Sequence, residues 1–215
     1  GGGSQASGAT CTAVGNEASA TGSNSLAMGY RTLASGLGTT AIGAWIDVDG
    51  DSVIDAEEIT TASGNASTAI GPLAQSAGGG AVAMGSQAHA DGDASTAVGT
   101  NSSAAGLGSA ALGFEAVATQ EASLALGATA QAVGVNSTAV GTFAQANAGN
   151  TIAVGFQSLA AATNSIVVGT SAQVAAVATN GVSIGNNSQV NSLNGVALGT
   201  GAIVSALDPG GTPVR

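Results

Sequence analysis

The chain has 215 residues and a net charge of −10, with 35 glycines, 3 prolines, 44% hydrophobic residues and only 2% aromatics. Its apolar content is mostly alanine and valine, which cannot fill a thick core because stabilisation scales with apolar area removed from water; its 7% of charged residues is too few for a disordered chain. Arg31 and Arg215 against 12 acids give no patch for nucleic acid and no basic cluster for a membrane surface, no apolar run suits membrane insertion, and the lone Cys11 excludes an internal disulfide.

In chain order, residues 1–43 carry a triplet of small residue, large aliphatic and glycine: Ala13-Val14-Gly15, Ala27-Met28-Gly29 and Ala41-Ile42-Gly43. After an interruption at residues 44–57 the triplet resumes at Ala69-Ile70-Gly71 and recurs to Ala197-Leu198-Gly199, through residues 58–207. Its step is constant, as from Gly15 to Gly29 to Gly43, except that it doubles between Gly43 and Gly71 and lengthens slightly between Gly169 and Gly185. A second glycine divides most units, as at Gly22, Gly36, Gly64, Gly78, Gly92, Gly106 and Gly134. Two glycines per unit would each cost a helix about 1 kcal/mol relative to alanine, whereas they supply turn dihedrals at no steric cost. The repeat therefore predicts an all-β parallel solenoid of 14-residue coils, each strand–turn–strand–turn. Residues 208–215, beginning Asp208-Pro209-Gly210-Gly211, read as a loop.

The two strands of a coil differ. In the Ala-x-Ala strand, Ala88 and Ala90 share one face, with Gln87 and His89 on the other; Glu17, Ser19, Asn101, Ser103, Gln145, Gln157, Gln173 and Gln189 are comparable outer residues. In the other strand Leu26, Ala27 and Met28 avoid charge on both faces. A strand apolar on both faces is normally covered on both. One cover is the rest of the coil, and with no helix in the sequence the second is another copy of the chain. Closed cyclic symmetry is the general expectation, with the copy number left open by the residues themselves.

Residues 44–57 form an acidic inter-coil insertion, a hairpin or a calcium-like loop. With its edge it holds Asp47, Asp49, Asp51, Asp55, Glu57 and Glu58, half of all the acids. Asp47, Asp49, Asp51, Asp55 and Glu58 fall at positions 1, 3, 5, 9 and 12 of a calcium loop, with the Val53 carbonyl at position 7. Ser52 stands where that loop expects glycine, and no helices flank it. The competing reading is a hairpin of Trp45–Val48 and Val53–Asp55 turning at Asp49-Gly50.

Asn24-Ser25-Leu26-Ala27-Met28-Gly29, Asn136-Ser137-Thr138-Ala139-Val140-Gly141 and Asn194-Gly195-Val196-Ala197-Leu198-Gly199 resemble the head repeat of trimeric autotransporter adhesins of the YadA type, over roughly residues 4–206. The resemblance implies a left-handed parallel β-roll assembled as a parallel homotrimer. It implies a cell-surface adhesin head segment, held in a Gram-negative outer membrane through regions absent here, that attaches to host extracellular matrix or cell-surface molecules. The chain departs from the repeat at residues 44–57 and 175–179.

His89, the only histidine, lacks the partners of a transition-metal site and reads as a solvated surface residue. Cys11 stands where other units have Ser25, Thr39, Ser67 or Ser95 and reads as a small core residue with no base to activate it. Tyr30, Trp45, Phe114, Phe143 and Phe156 all follow a repeat glycine by one or two residues. Phe114 and Phe156 are expected to pack over a turn or between subunits, while Trp45 stays open as packing or as an exposed anchor. Three alternatives to adhesion are a passive spacer, an ice-binding face and a polysaccharide enzyme. The ranked Thr12, Thr40, Thr68, Thr96 and Thr138 are interrupted by Leu26, Val82, Leu124, Ile152 and Ile166, against ice binding; Asp91 and Asp93 have no facing acid–base partners, so no enzyme is expected.

Overall fold

The structure is a computed structural model that describes residues 2–51, 53 and 55–205; the loop expected at 208–215 lies outside the described residues. Two compact units divide the chain, Gly1–Glu115 and Ala116–Arg215. Both are parallel β-solenoids. In the first, three-residue strands such as Thr12–Val14, Leu26–Met28, Thr40–Ile42 and Thr68–Ile70 stack in one sheet, and two-residue strands such as Ser19–Ala20, Leu33–Ala34 and Thr61–Ala62 stack in the other. The second unit repeats the pattern from Val117–Ala118 and Leu124–Leu126 to Val196–Leu198 and Ile203–Val204.

Register follows the repeat. Val82, Ala83 and Met84 pair with Thr96, Ala97 and Val98, and His89 pairs with Ser103, each its equivalent in the next coil. The two irregular steps are absorbed at turns: Thr40 pairs with Thr68 and Leu33 with Thr61 across the insertion, while Ile166 pairs with Val182 and Gln173 with Gln189 across the longer coil. In that coil the surplus lies in a turn closed by the Ala178 N–H donating to the Ala175 carbonyl at 2.9 Å, with Val177 73% exposed at its tip.

Alternation places the middle residue of each three-residue strand inward. Ala27, Ala41, Ala69, Ala83, Ala125 and Ala139 are fully buried, as are Ala20, Ala34, Ala90 and Ala146 from the facing sheet. Two methyl layers make a core with no room for a ring. Just before the three-residue strand a small hydroxyl residue is buried and caps the preceding turn: Ser25 Oγ donates to the Gly22 carbonyl at 2.6 Å and Thr39 Oγ1 to that of Gly36 at 2.9 Å. Cys11 Sγ does the same to Gly8 at 2.8 Å, which gives it a structural role at that position.

The turns correct one sequence expectation. Glu17, Gln87, Asn101 and Gln157, expected as outer strand residues, are turn residues with φ between 54° and 57°. Ser19, His89, Ser103, Gln145, Gln173 and Gln189 do lie on strands. The glycines also divide into two kinds. Gly85 has φ 134°, a conformation side chains avoid, and its added Cβ would also lie 2.6 Å from the Gly99 carbonyl oxygen. Gly92 has no such φ; it is glycine because an added Cβ would lie 2.1 Å from the Gly106 carbonyl oxygen of the next coil.

Candidate functional site

Two features leave the regular core. The first is a rank of large aliphatics on the outer face of the three-residue strands. In the first unit Val14, Met28, Ile42, Ile70, Met84 and Val98 follow one another in register. In the second, Leu126, Val140, Val154, Val168, Ile184 and Leu198 do so. Val14 is 50% exposed, Met84 41% and Leu126 44% in the single chain. A contiguous apolar face of this kind marks an interaction surface.

The second is the insertion. Among the described residues, no strand lies between Ile42 and Thr61; the second arm expected for a hairpin, Val53–Asp55, lies partly outside them. The Trp45 N–H still donates to the Tyr30 carbonyl at 3.0 Å, as a regular coil would, and the chain then departs. It returns through a short 3-10 turn, Ala56–Glu58. Thr60 Oγ1 closes the neck, accepting from the Ala44 N–H at 3.1 Å. Glu58, 4% exposed, anchors the loop from inside: Val48 N–H donates to Oε1 at 2.6 Å, Trp45 Nε1–H donates to Oε2 at 3.2 Å, and the Ile46 N–H donates to the Glu58 carbonyl at 3.1 Å. The Arg31 guanidinium lies 4.8 Å from the Trp45 ring centroid and 5.0 Å from that of Tyr30, and its Nε–H donates to Glu17 at 2.7 Å. Trp45, left open by sequence, is a packing residue at the base of the loop.

The carboxylates converge. Asp47, Asp49 and Glu58 can bring one oxygen each within 4.8 Å of one another, and so can Asp49, Asp51 and Asp55. All five predicted carboxylates thus join two groups that share Asp49. The Val53 N–H donates to Asp51 Oδ1 at 2.7 Å, and the Gly50 N–H to Asp47 Oδ1 at 2.6 Å, local turns of the loop. The hydrogen bond from Val48 holds the Glu58 carboxyl below its ordinary value, aided by Trp45 and opposed by burial. Asp55 is pushed up, by desolvation first and then by the charges of Asp51, Glu58, Asp49 and Glu57. The donor set, all carboxylate oxygen around a short loop, has the chemistry of a hard divalent cation site.

Elsewhere, His89 lies half-buried on the outer face, between Gln75 and Ser103. Phe114 and Phe156 do not bury themselves over their turns, being 52% and 46% exposed; Phe156 meets Phe143 edge to face at 6.1 Å between centroids. That pair was not foreseen, although residues 143 and 156 stand in adjacent coils one position apart in the repeat. Among the described residues, no helix is long and apolar enough to cross a membrane.

Stacked 14-residue coils with an alanine core and an outward aliphatic rank define a β-roll repeat protein. The sequence matches the family described as YadA head domain repeat (2 copies) over residues 20–44, 62–88, 76–102, 104–130, 118–144, 132–158, 146–172 and 176–202. The chain belongs to this family of adhesin heads from trimeric autotransporters, a non-enzymatic class. The crystal structure of the collagen-binding domain of the Yersinia adhesin YadA is 31% identical, with 75% of this chain and 80% of that one covered and a TM-score of 0.49. No curated protein matches the chain.

Proposed function

We propose that this segment works as a homotrimer at the cell surface, its aliphatic ranks turned toward one another, and that its outer faces attach to collagen-like matrix. The observation that carries the assembly is the exposed rank itself: Met28, Met84 and Leu126 remain 41%, 41% and 44% exposed in the single chain, and a copy supplying the same surface is the self-complementary solution. Cell-surface attachment follows the family, and the Yersinia relative's collagen binding names the first ligand to try. Three copies of one surface raise apparent affinity through effective concentration. Binding of the parent chain and of a monomerised variant to immobilised collagen should differ by about a hundredfold, within the range avidity gives; equal binding would mean that assembly has no part in attachment, and binding by neither would leave the segment a spacer.

A second, local reading concerns the insertion, and the two three-carboxylate groups that share Asp49 favour it. A Ca²⁺ ion held by Asp47, Asp49, Asp51, Asp55 and Glu58, with the Val53 carbonyl, would offset their mutual repulsion. Its role is to order the loop, because the ladders around it close without it. Affinity should fall in the roughly 10⁻⁴–10⁻³ M range of extracellular modules. Trp45, the one tryptophan of the sequence, bonds to Glu58 and reports binding by fluorescence. Calcium titration should give a saturating change in the parent that Asp49→Asn and Glu58→Gln lose. The depressed Glu58 carboxyl contributes order that is present above its unfolded value and disappears as pH falls through its folded one, so binding should weaken over that same acid window. No change in the parent, or the same change in all three proteins, leaves a solvated acidic loop.

A further inference from the structure

Resting on the collagen reading, we propose that Phe143 and Phe156, with Gln145, Gln157 and Gln173, form a docking groove for an uncharged polyproline-II chain lying along the direction in which the coils of the second unit stack. The groove, about 350 Å³ in volume, is lined by Phe143, Gln145, Gln157, Leu159, Ser171 and Gln173 among others, and no lining residue is charged. A neutral lining is the rule in this unit, whose described residues carry Glu121 as their one formally charged side chain. It suits a ligand without formal charge and gives nothing to a basic or acidic polymer.

The rings give the groove its apolar wall. Phe143 is 48% and Phe156 46% exposed, and they meet edge to face. Neither can turn into the coil, whose inner positions there, Ala144, Ala146 and Ala160, are completely buried. Exposed aromatic faces set at an angle are the surface on which proline rings pack in known polyproline-II recognition.

The glutamines give it donors. Gln145, Leu159 and Gln173 are successive ladder partners on the two-residue strands. Among the described residues, the Gln157 and Gln173 side-chain amides make no intramolecular hydrogen bond, and the Gln145 side chain uses only its oxygen, accepting from Asn147 at 3.3 Å. A polyproline-II chain has no internal hydrogen bonds, so its carbonyls are free to accept. The spacing agrees. Gln145 and Gln173 lie two coils apart, about 9.6 Å at the usual strand separation, and one polyproline-II turn of three residues rises about 9.3 Å. A repeating donor on the protein thus meets a repeating carbonyl on the ligand. A neutral glycan fits less well, since its hydroxyls need strong acceptors and the lining holds no carboxylate. The groove opens on the outer side of the two-residue strands, opposite the aliphatic rank, so assembly through that rank leaves it open.

The test uses the whole chain and a triple-helical (Gly-Pro-Hyp)₁₀ peptide in calorimetry or biolayer interferometry, with collagen and maltoheptaose as further probes. Phe143→Ser with Phe156→Ser should weaken peptide binding by about tenfold or more, as loss of aromatic anchors does. Gln145→Ala with Gln173→Ala, which leaves the rings in place, should weaken it severalfold. Phe114→Ser, an exposed aromatic in the other unit, should have no effect. If the parent binds the peptide and all variants bind it equally, the groove is wrong while the collagen reading stands. A change of oligomeric mass in the phenylalanine variant would place the rings between subunits and overturn the groove as well. Preference for maltoheptaose over the peptide overturns it in favour of a glycan site. A parent that binds neither peptide nor collagen ends both readings together.

Discussion

Ile70→Asp should turn the assembly into single chains, read by light scattering as a threefold fall in mass. Ile70 sits in the middle of the first unit's rank, paired with Ile42 on one side and Met84 on the other. Its side chain lies on the face away from Ala69, which is fully buried. The substitution therefore leaves the core alanine and the backbone ladder alone, and circular dichroism should keep its β signature. At a subunit boundary the change acts twice. It removes a side chain whose burial contributes about 1.5–3 kcal/mol, and it asks an unpaired carboxylate to leave water, which is far more costly. Repeated in every copy, this exceeds what a closed interface of short ranks can absorb, and association should weaken by more than about a thousandfold. His89→Asp, an equal charge on the opposite sheet, should leave the mass unchanged. Persistence of the trimer in Ile70→Asp would mean that the aliphatic rank is not the interface.

Gly92→Val should be strongly damaging within a chain. A Cβ at this position meets the Gly106 carbonyl oxygen at 2.1 Å, its carbon at 2.5 Å and the Ala105 oxygen at 2.9 Å, all of them backbone. Backbone held on both sides by ladders cannot swing away as a side chain tip can, so the coil must part from its neighbour. Overpacking alone costs about 1–3 kcal/mol; here separated hydrogen bonds add to it, and a loss of about 4 kcal/mol or more is expected. At this size that lowers the melting temperature by about 10 °C. Gly108→Ala is the matched control, because nothing lies within 4 Å of its added Cβ and its φ is 61°. Ala66, Ala94 and Ala122 already occupy that conformation at φ 57°, 55° and 52°. Equal melting of the two variants would show that close approach is not why Gly92 is glycine.

These two cases mark where the sequence is legible. The period of the coil is written in repeated residue identities, so the coil, its two strands and the inward alanines follow from reading it. The aliphatic rank is legible for the same reason: Met28 and its equivalents recur at one position and have no helix to face. What could not be read is which glycine serves which purpose. A carbonyl of the next coil crowds both Gly85 and Gly92, yet only Gly85 also has a dihedral that side chains avoid. Similarly, Glu17, Gln87, Asn101 and Gln157 alternate correctly for a strand, and only the turn geometry shows them one step outside it. In the insertion the acid spacing announced a cluster, and the structure adds what spacing cannot: Glu58 is drawn beneath the loop by Val48 and Trp45, and Thr60 ties the neck. The Phe143–Phe156 pair was hidden because the rings sit at different repeat positions and meet only when adjacent coils are laid side by side.

The constancy of register has a consequence for how such a chain comes to be folded. In each unit the ladder partner of a residue is its equivalent in the next coil, and even the doubled and the lengthened steps keep that pairing. Closing a loop costs entropy that depends on the separation of its ends, so each new coil faces the same small cost however many precede it. Topologies dominated by distant partners fold slowly because that cost must be met before contacts repay it; here lengthening the array adds steps without making any step harder. A chain that emerges gradually from one end can dock each turn on the one before, and repeats can be gained or lost in whole units without disturbing the pairing of those that remain.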